Sequence, residues 1–322
     1  MKAPVVALAV VVVGCAAPAR AATDRFEVLS YNTWLRPAVV FPGDVQQPRA
    51  RLLAQVLRGY DVVVLQELFD AEARATVLRG LAARGYRYTT HRLGPDGLFV
   101  KDGGVVIASR WPIVAEAQQL FGACTNTDLC IGEHCLVGDC NAHKGVVYAA
   151  IEKEGRRLHL FGTHAQSGEH PAARQVRVSQ MQTIRAFIDS RHVPAGEPVI
   201  IAGDLNVDQI GSRDEYRRML QVLGASAPRR RGRLKYSDDP VTNRWTREDS
   251  PHAARKVIDH ILISDTHLRP ARSVLEVRAV RAGGQDLSDH HAVYARLEFP
   301  AAPRPLAAAP VAPAPRAPTA RR

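Results

Sequence analysis

The sequence lacks any apolar stretch long enough to cross a bilayer, which argues against an integral membrane protein. Its most apolar stretch, Val5–Val13, is short and lies behind a lysine, as in a secretory signal. The small residues of Ala19–Ala21 predict cleavage there, so residues 1–21 would be a signal peptide. A competing interpretation is the lipoprotein-box-like sequence Val12–Cys15, which would leave Cys15 lipidated and the protein anchored. Both predict export, and we favour a secreted or periplasmic protein because the second leaves a very short leader.

Acidic residues are absent from residues 1–21 and 301–322, and these two ends hold six of the eleven surplus positive charges. The basic run Arg229–Lys235 holds five more, so the rest of the chain is close to neutral. A broad excess of Lys and Arg marks proteins that grip a nucleic-acid backbone, and that excess is missing here. We therefore expect no stable nucleic-acid partner.

The cysteines lack the close Cys-x-x-Cys pairs that four-thiolate zinc sites usually contain. Apart from Cys15 there are four of them, Cys124, Cys130, Cys135 and Cys140, all within one short segment. An even number in an exported protein predicts two disulfides that pin one loop. Three pairings are possible, and the sequence does not choose among them.

Strand-like apolar runs alternate with helical spacing through residues 22–299, which predicts one α/β domain with helices outside a sandwich. Two of the runs, Val62–Leu65 and Val199–Ala202, are continuous, as in strands buried on both faces. After residue 299 the composition changes to Pro, Ala and Arg, which predicts a disordered tail over residues 300–322. The other predicted strands are Phe26–Tyr31, Gly104–Ala108, Gly145–Ile151, Leu158–Thr163, Val257–Ile263 and Ala292–Phe299, and the predicted helices are Arg49–Leu57, Ala71–Ala83, Ala172–Ile188 and Asp214–Leu223.

A carboxylate closes the first continuous run, because Glu67 follows Val62–Gln66. Such a group is costly to bury unless a cation or a hydrogen-bond donor meets it. A hard divalent ion prefers oxygen ligands, which Glu67, Asp289 and Asn32 would supply. The sequence therefore predicts a Mg²⁺ site. A plainer interpretation is that Glu67 caps the helix that starts near Asp70.

Acids and histidines also lie at the ends of other strands. Asp204 and Asn206 are two residues apart and so point to the same side of an extended segment. His164 ends a strand, and Asp259 is an acid within one, which requires a partner such as a histidine. The pair Asp289–His290 places an acid beside a base that titrates near neutrality, which suits hydrolysis of a phosphate ester. Because strand ends on one sheet edge converge, these residues predict a single site.

Taken in order, these residues resemble the endonuclease/exonuclease/phosphatase superfamily from about Phe26 to Phe299. Within it, Val64–Asp70, Asp102–Ile113 and Lys144–Tyr148 are similar in order and spacing to bacterial sphingomyelinase C, the secreted neutral sphingomyelin phosphodiesterases. The resemblance implies a deoxyribonuclease-like fold, a four-layer α/β/β/α sandwich of two packed mixed sheets flanked by helices.

The resemblance also implies roles for the individual residues. Glu67 would be the main Mg²⁺ ligand with Asn32 and Asp289 nearby, and other divalent ions such as Mn²⁺ or Co²⁺ would also fit. His290 would be the general base and Asp259 would belong to the same catalytic set. Asp204 and Asn206 would position the water and the phosphate, while His164 and Lys144 would face the phosphate charge.

The function implied is a secreted, monomeric, Mg²⁺-dependent phosphodiesterase that acts at a membrane surface. It would cleave sphingomyelin, or a related choline phospholipid, to phosphocholine and ceramide. Alternatives on the same scaffold are a secreted endonuclease, which the basic run Arg229–Lys235 supports, and a phosphatase.

Two features depart from the family pattern. Residues 265–288 contain no Phe, Tyr or Trp, whereas relatives that lyse cells carry an aromatic-tipped hairpin there. We therefore do not expect strong haemolysis. The residue before Lys144 is His143, where some relatives have an acid, so any switching role of that pair is not carried over.

Overall fold

The computed structural model of the protein describes residues 23–301 apart from residues 96, 98, 99, 126–129, 132, 133, 136 and 137. The predicted signal peptide and all but the start of the predicted tail lie outside the described residues. The strands, numbered in chain order, are β1 Thr23–Leu35, β2 Val62–Leu68, β3 Tyr88–Thr89, β4 Val106–Ser109, β5 Ile113–Leu120, β6 Cys130–Ile131, β7 His134–Cys135, β8 Gly145–Lys153, β9 Arg156–His164, β10 Val199–Asp204, β11 Ala225–Ser226, β12 Arg229–Arg231, β13 Asp259–Ser264, β14 Arg272–Arg278, β15 Arg281–Ala282, β16 Gln285–Asp286 and β17 Ala292–Pro300. The α-helices are α1 Gln46–Val56, α2 Ala71–Ala82, α3 Pro171–Ser190, α4 Arg213–Leu223 and α5 Arg244–Asp249.

Two mixed sheets form the body of the protein. The first has seven strands in the order β12-β14-β17-β1-β2-β4-β3, and the second has six in the order β11-β13-β10-β9-β8-β5. Each contains parallel and antiparallel neighbours: β1 runs parallel to β2 and antiparallel to β17, and β10 runs parallel to β9 and antiparallel to β13.

The core lies in three layers that follow from the strand period of two residues. In β2, Val62 and Val64 pack between the sheets, whereas Val63 and Leu65 pack on the outer face with residues of α1 and α2. The helices α3 and α4 cover the outer face of the second sheet. The predicted four-layer sandwich is therefore confirmed, as is the burial of β2 on both faces.

The register brings polar strand ends to one edge of the sandwich. Asn32 on β1 pairs with Gln66 on β2, and His164 on β9 pairs with Asp204 on β10. Because β13 is antiparallel, its first residue, Asp259, lies opposite the last residue of β10, Asp204. Strand β17 also begins at this edge, directly after the predicted pair of acid and histidine.

Several boundaries differ from those predicted. β13 begins at Asp259 rather than Val257, so Asp259 lies at a strand end and not inside the strand. The strands β5 and β14 were not predicted; most side chains of β5 are exposed, so its apolar pattern is weak. Among the described residues, no helix combines the length and apolar composition that spanning a bilayer requires.

Candidate active site

Asn32 joins the two sheets at their carboxyl edge. Its Nδ2 donates to Glu67 Oε1 at 2.8 Å and lies 3.2 Å from Asp204 Oδ2. Its Oδ1 accepts the backbone N–H of Trp34 at 3.1 Å. Asn32 therefore presents its amide nitrogen to both carboxylates, and direct ligation of a metal by its oxygen would require the amide to rotate. Its predicted role as a ligand stays a prediction.

Three residues of this edge have left-handed backbone conformations that favour glycine. Their φ angles are 51° at Trp34, 55° at Glu67 and 52° at Asn206. For residues that carry a Cβ, such conformations persist only where the surrounding structure enforces them. Glu67 does not cap the following helix, since the side chain of Asp70 accepts the N–H of Ala73 at the start of α2. The capping interpretation of Glu67 is wrong.

His290 and Asp259 form a directly hydrogen-bonded pair. His290 Nδ1 lies 2.8 Å from Asp259 Oδ2, which leaves Nε2 facing Asp204 Oδ2 at 3.8 Å. Asp259 is fully buried. Burial alone would lower the pKa of His290, but the charges of Asp259, Asp289 and Asp204 hold it well above 6.5. The expectation that Asp259 needs a histidine partner is confirmed.

Ser288 fixes the backbone segment that leads to His290. Its Oγ donates to Asn32 O at 2.8 Å and accepts the backbone N–H of His290 at 3.1 Å. The same oxygen lies 3.1 Å from Asp289 Oδ1. The segment that carries the acid and the histidine is thereby tied to the end of β1.

A lysine and a second histidine lie on the other side of Asp204. Lys144 Nζ donates to Asp139 Oδ1 at 2.6 Å and to Ala165 O at 2.9 Å, and it lies 3.2 Å from His164 Nε2. Burial, followed by the charge of Lys144, holds the pKa of His164 well below 6.5. His164 Nε2 lies 3.6 Å from Asp204 Oδ2. His164 is therefore a neutral imidazole between a cation and a carboxylate.

Asn206 follows Asp204 in a turn after β10. Its backbone N–H donates to Asp204 Oδ1 at 3.0 Å, and its Nδ2 donates to Ala165 O at 3.1 Å. The Asp204 side chain therefore closes an Asx turn after β10. Because Ala165 O also accepts from Lys144, Asn206 and Lys144 are held next to each other.

The buried carboxylates indicate that the edge is suited to a divalent cation. Burial raises the pKa of Asp204 and of Asp289 to about 7, and nearby carboxylates add to both shifts. Glu67 is one of the charges that act on Asp289, so the two predicted ligands are electrostatically linked. A bound cation would offset this crowding of negative charge, and oxygen donors suit Mg²⁺. The residues present therefore fit the ion that the sequence predicts.

Asp204, Asp259 and His290 form a second group whose ligand atoms lie within 4.8 Å of one another. In this group His290 Nδ1 and Asp259 Oδ2 already bind each other directly. We therefore interpret it as an acid–base pair beside Asp204 and keep Glu67, Asp289 and Asn32 as the predicted ligands.

Three further charged residues at this edge were missed from the sequence. Asp139 was missed because only the folded loop brings it to Lys144. Arg36 was missed because it lies in the loop after β1, and only the fold brings its charge near Glu67 and Asp289. Asp238 was missed because its link to His290 is a backbone bridge from a distant segment. None of them lies in an apolar run that ends in a polar residue.

One of the predicted disulfides is present, between Cys124 and Cys140. Cys130 and Cys135 lie opposite each other in the short β6–β7 hairpin, and their side chains are outside what the structure describes. Cys140 directly follows Asp139, so the disulfide anchors the short 3-10 turn whose acid binds Lys144.

The segment in which some relatives carry an aromatic-tipped hairpin forms only a short hairpin here. Strands β15 and β16 pair directly, and Gly283 and Gly284, both with positive φ, form the turn between them. The only other side chains of this hairpin are charged, polar or small, which agrees with the absence of aromatics from residues 265–288.

The sequence matches the Endonuclease/Exonuclease/phosphatase family over residues 29–290. It is 30% identical over 299 residues to sphingomyelinase C of Listeria ivanovii, covering 84% of this chain and 85% of that protein. The crystal structure of sphingomyelinase C from Streptomyces griseocarneus is 32% identical, with a TM-score of 0.74 and coverage of 85% of this chain and 100% of that one. A mutant of beta toxin from Staphylococcus aureus, solved with bound magnesium ions, is 28% identical with a TM-score of 0.74, covering 84% and 99%. The chain therefore belongs to the endonuclease/exonuclease/phosphatase family and, within it, to the sphingomyelinase C group.

Proposed function

We propose that this chain is an exported, divalent-metal-dependent phosphodiesterase that hydrolyses sphingomyelin, or a related choline phospholipid, to phosphocholine and ceramide. The observation that carries the proposal is the pair of His290 with the fully buried Asp259, set at the same sheet edge as Asn32, Glu67 and Asp204. The names of the relatives at about 30% identity supply the substrate class.

His290 acts as the general base. Asp259 accepts from Nδ1, so Nε2 is the nitrogen left to take a proton from the attacking water. A base must be unprotonated, yet the carboxylates around His290 raise its pKa. A cation held by Glu67, Asp289 and Asn32 would reduce that excess of negative charge and return the imidazole towards its neutral form.

The opposite side of the site binds the phosphate. Lys144 supplies a fixed positive charge, and His164 and the amide of Asn206 lie beside it. A phosphodiester is anionic and resists attack, so donors aimed at its non-bridging oxygens lower the barrier by electrostatic stabilisation. When bound, Mg²⁺ would add Lewis-acid stabilisation of the same oxygens.

The lipid surface would be met by loops at this edge rather than by an aromatic hairpin. After β1, the side chains of Val39 and Val40 are 91% and 51% exposed. Val241, in the loop that leads to α5, is 61% exposed. The rings of Trp34 and Trp245 pack in a tilted arrangement with centroids 5.4 Å apart and join the bases of the two loops. Small apolar side chains favour shallow contact with lipid, which is consistent with the expectation of weak haemolysis.

The decisive experiment compares substrates on one preparation of residues 22–322 with Mg²⁺. Release of phosphocholine from sphingomyelin vesicles is measured beside lysophosphatidylcholine hydrolysis and plasmid nicking. We expect phosphocholine release without nicking. Plasmid cleavage without phosphocholine release would establish the endonuclease alternative instead.

The same assay tests the assigned roles with matched variants. Glu67→Ala and His290→Ala should each abolish most activity, whereas Glu72→Ala and His252→Ala, which change exposed residues of the same types, should leave it unchanged. Equal thermal unfolding of all four proteins excludes misfolding as the cause. Near-normal turnover in Glu67→Ala or His290→Ala would remove that residue from its role.

A further inference from the structure

The basic run Arg229–Lys235 is not a solvated loop throughout. Its first three residues form β12 at the edge of the first sheet, parallel to β14, with Arg230 opposite Leu275. Charged side chains on an edge strand discourage pairing with other chains. The sheet also fixes where these arginines lie, so the run has a defined geometry.

Part of the run lines a cavity of about 380 Å³ between β12, β14 and the start of α4. This volume is in the range of small-molecule sites, roughly 300–1,000 Å³. Its walls combine two kinds of side chain. The cationic ones are Arg213, Arg230, Arg231 and Lys235, and the apolar ones are Ile210, Leu234, Leu275 and Val277.

The positive charges of this cavity are not neutralised from within the protein. Among the residues that the structure describes, Arg213, Arg231 and Lys235 have no carboxylate within ion-pair distance. The neighbouring acids are engaged elsewhere: Glu276 pairs with Arg278 at 2.8 Å, and Asp208 accepts the backbone N–H groups of residues 210 and 211. A cluster of cations that have no ion-pair partners among the described residues attracts an anion from outside.

Arg230 is the most enclosed of the four cations and ties the cavity together. Its Nη1 donates to Lys235 O at 2.6 Å, which folds the second half of the run over the first. Burial lowers the pKa of Arg230, while Tyr216 and then Asp259 act in the opposite direction.

We propose that this cavity binds the phosphate headgroup of an anionic phospholipid, with the cations on the phosphate and the apolar walls against the start of the lipid tail. Charge complementarity selects an anion, and the apolar floor of Leu234, Leu275 and Val277 selects an amphiphile over a free ion. Single-stranded nucleic acid is disfavoured because, within the part of the chain that the structure describes, no aromatic side chain lines the cavity for base stacking. If the basic run served only to prevent pairing at the sheet edge, nothing would require Arg213 of α4 to line the same cavity.

Such a site gives the enzyme a second lipid ligand that is not its substrate. Sphingomyelin is zwitterionic, so an anionic neighbour in the same membrane would hold the protein at the surface while the active site takes substrate. The inference extends the membrane part of the proposed function. The test of the cavity measures binding and the test of the proposed function measures hydrolysis, so either proposal can fail without the other.

The run itself provides a matched control. Arg231→Gln with Lys235→Gln removes two charges that line the cavity, whereas Arg229→Gln with Arg233→Gln removes two charges of the same run that do not. Both double variants have the same net charge. Binding of each full-length protein, in EDTA, is measured by sedimentation with phosphatidylcholine vesicles that contain or lack phosphatidylglycerol.

We expect wild-type protein to prefer the anionic vesicles. The cavity variant should bind them at least ~10-fold more weakly, because it loses two of the cations that contact the phosphate, and the control variant within ~3-fold of wild type, because Arg229 and Arg233 do not line the cavity. Equal losses in the two variants would show a diffuse charge effect and overturn the proposal. So would the absence of any preference for anionic vesicles in the wild type.

Two further experiments distinguish a lipid headgroup from free phosphate and from nucleic acid as the bound anion. Water-soluble dihexanoyl phosphatidylglycerol should compete for the cavity far better than inorganic phosphate; equal competition would mean a simple phosphate site and overturn the lipid proposal. Loss of binding to a short single-stranded DNA, with vesicle binding intact, would assign the cavity to nucleic acid instead. Hydrolysis of a soluble choline phosphodiester should be unchanged in both variants, which shows that they fold.

Discussion

The space between the two sheets and the carboxyl edge of the same sheets are built from the same strands in opposite ways. Between the sheets, β2 and β9 contribute apolar side chains such as Val64 and Leu160 to one hydrophobic cluster. At the edge, Glu67 lies one residue before the end of β2 and His164 ends β9, beside buried Asp204. Apolar packing between the sheets lowers the free energy of the folded state, whereas the burial of charges at the edge raises it.

The backbone shows the same contrast. The left-handed φ angles of Trp34, Glu67 and Asn206 all occur at the edge. Between the sheets the chain is regular, and close contact is achieved by removing a side chain: a Cβ on Gly162 would lie 2.8 Å from Val64 Cγ1. The difference indicates that the stability of the core holds the site in conformations that the site residues would not adopt alone.

The largest expected effect is on catalysis, from a change that leaves the core untouched. Asp259→Asn should lower kcat by roughly 10²–10⁴, because the amide no longer orients His290 through its Nδ1 proton. It should also move the basic group of the pH–rate profile to lower pH, because the charge of Asp259 raises the pKa of His290. Steady-state kinetics across pH on a soluble choline phosphodiester provide the measurement. An unchanged profile would show that Asp259 is only structural.

The next effect is on stability and should have opposite signs in the two regions. Leu160→Ala, between the sheets, should lower the free energy of unfolding by about 2–5 kcal/mol. Asp204→Asn, at the edge, should leave stability at pH 8 unchanged or raised by about 1 kcal/mol in EDTA, because it removes a charge that burial disfavours. For an acid with a raised pKa, stability falls as pH rises through the interval between 3.8 and about 7.

Denaturant unfolding of both variants, with activity measured on the folded protein, completes that test. Leu160→Ala should keep its turnover per folded molecule, and Asp204→Asn should lose it. A destabilised Asp204→Asn protein would contradict the claim that the edge is held in place at the expense of stability.

The sequence predicted the core better than the edge for a physical reason. Val62–Leu65 was identified because burial on both faces requires an unbroken apolar run, and Glu67 and His164 because each ends such a run. The partner of Lys144 could not be found in this way, since Asp139 reaches it through a loop shaped by the disulfide between Cys124 and Cys140. Local patterns report burial, whereas the contacts of the edge depend on how separate loops meet.

Two histidines, His290 just before β17 of the first sheet and His260 on β13 of the second, give a pH test of smaller size. His290 is held charged by carboxylates, whereas burial lowers the pKa of His260, one residue inside the edge, from 6.5 to about 4. His260 Nε2 lies 2.8 Å from Val207 O, and its ring packs against Tyr216. For a histidine with a lowered pKa, the unfolded state binds more protons between pH 4 and 6.5, so stability is full above 6.5 and falls as the pH drops through this interval.

Wild-type protein should therefore lose about 2 kcal/mol between pH 8 and pH 5 that a His260→Gln variant does not lose. The comparison of the two proteins cancels the contribution of His290 and of every other titrating group. Urea unfolding at both pH values provides the free energies. Parallel losses in the two proteins would show that His260 is not held neutral by the fold.

The smallest expected effect comes from the exposed loop that follows β1 at the carboxyl edge, away from the hydrogen-bonded groups of the site. Val39→Asp with Val40→Asp should reduce hydrolysis of sphingomyelin vesicles several-fold, because each exposed valine gives up only part of the roughly 1.5–3 kcal/mol of a fully buried side chain. Hydrolysis of a soluble choline phosphodiester should not change, because neither valine takes part in the hydrogen bonds of the site. The control is Val114→Asp with Ala115→Asp, which places the same two charges on exposed residues of the edge strand β5. Equal losses in both proteins on vesicles would indicate a general effect of negative charge, and the carboxyl edge would then have no special place at the lipid surface.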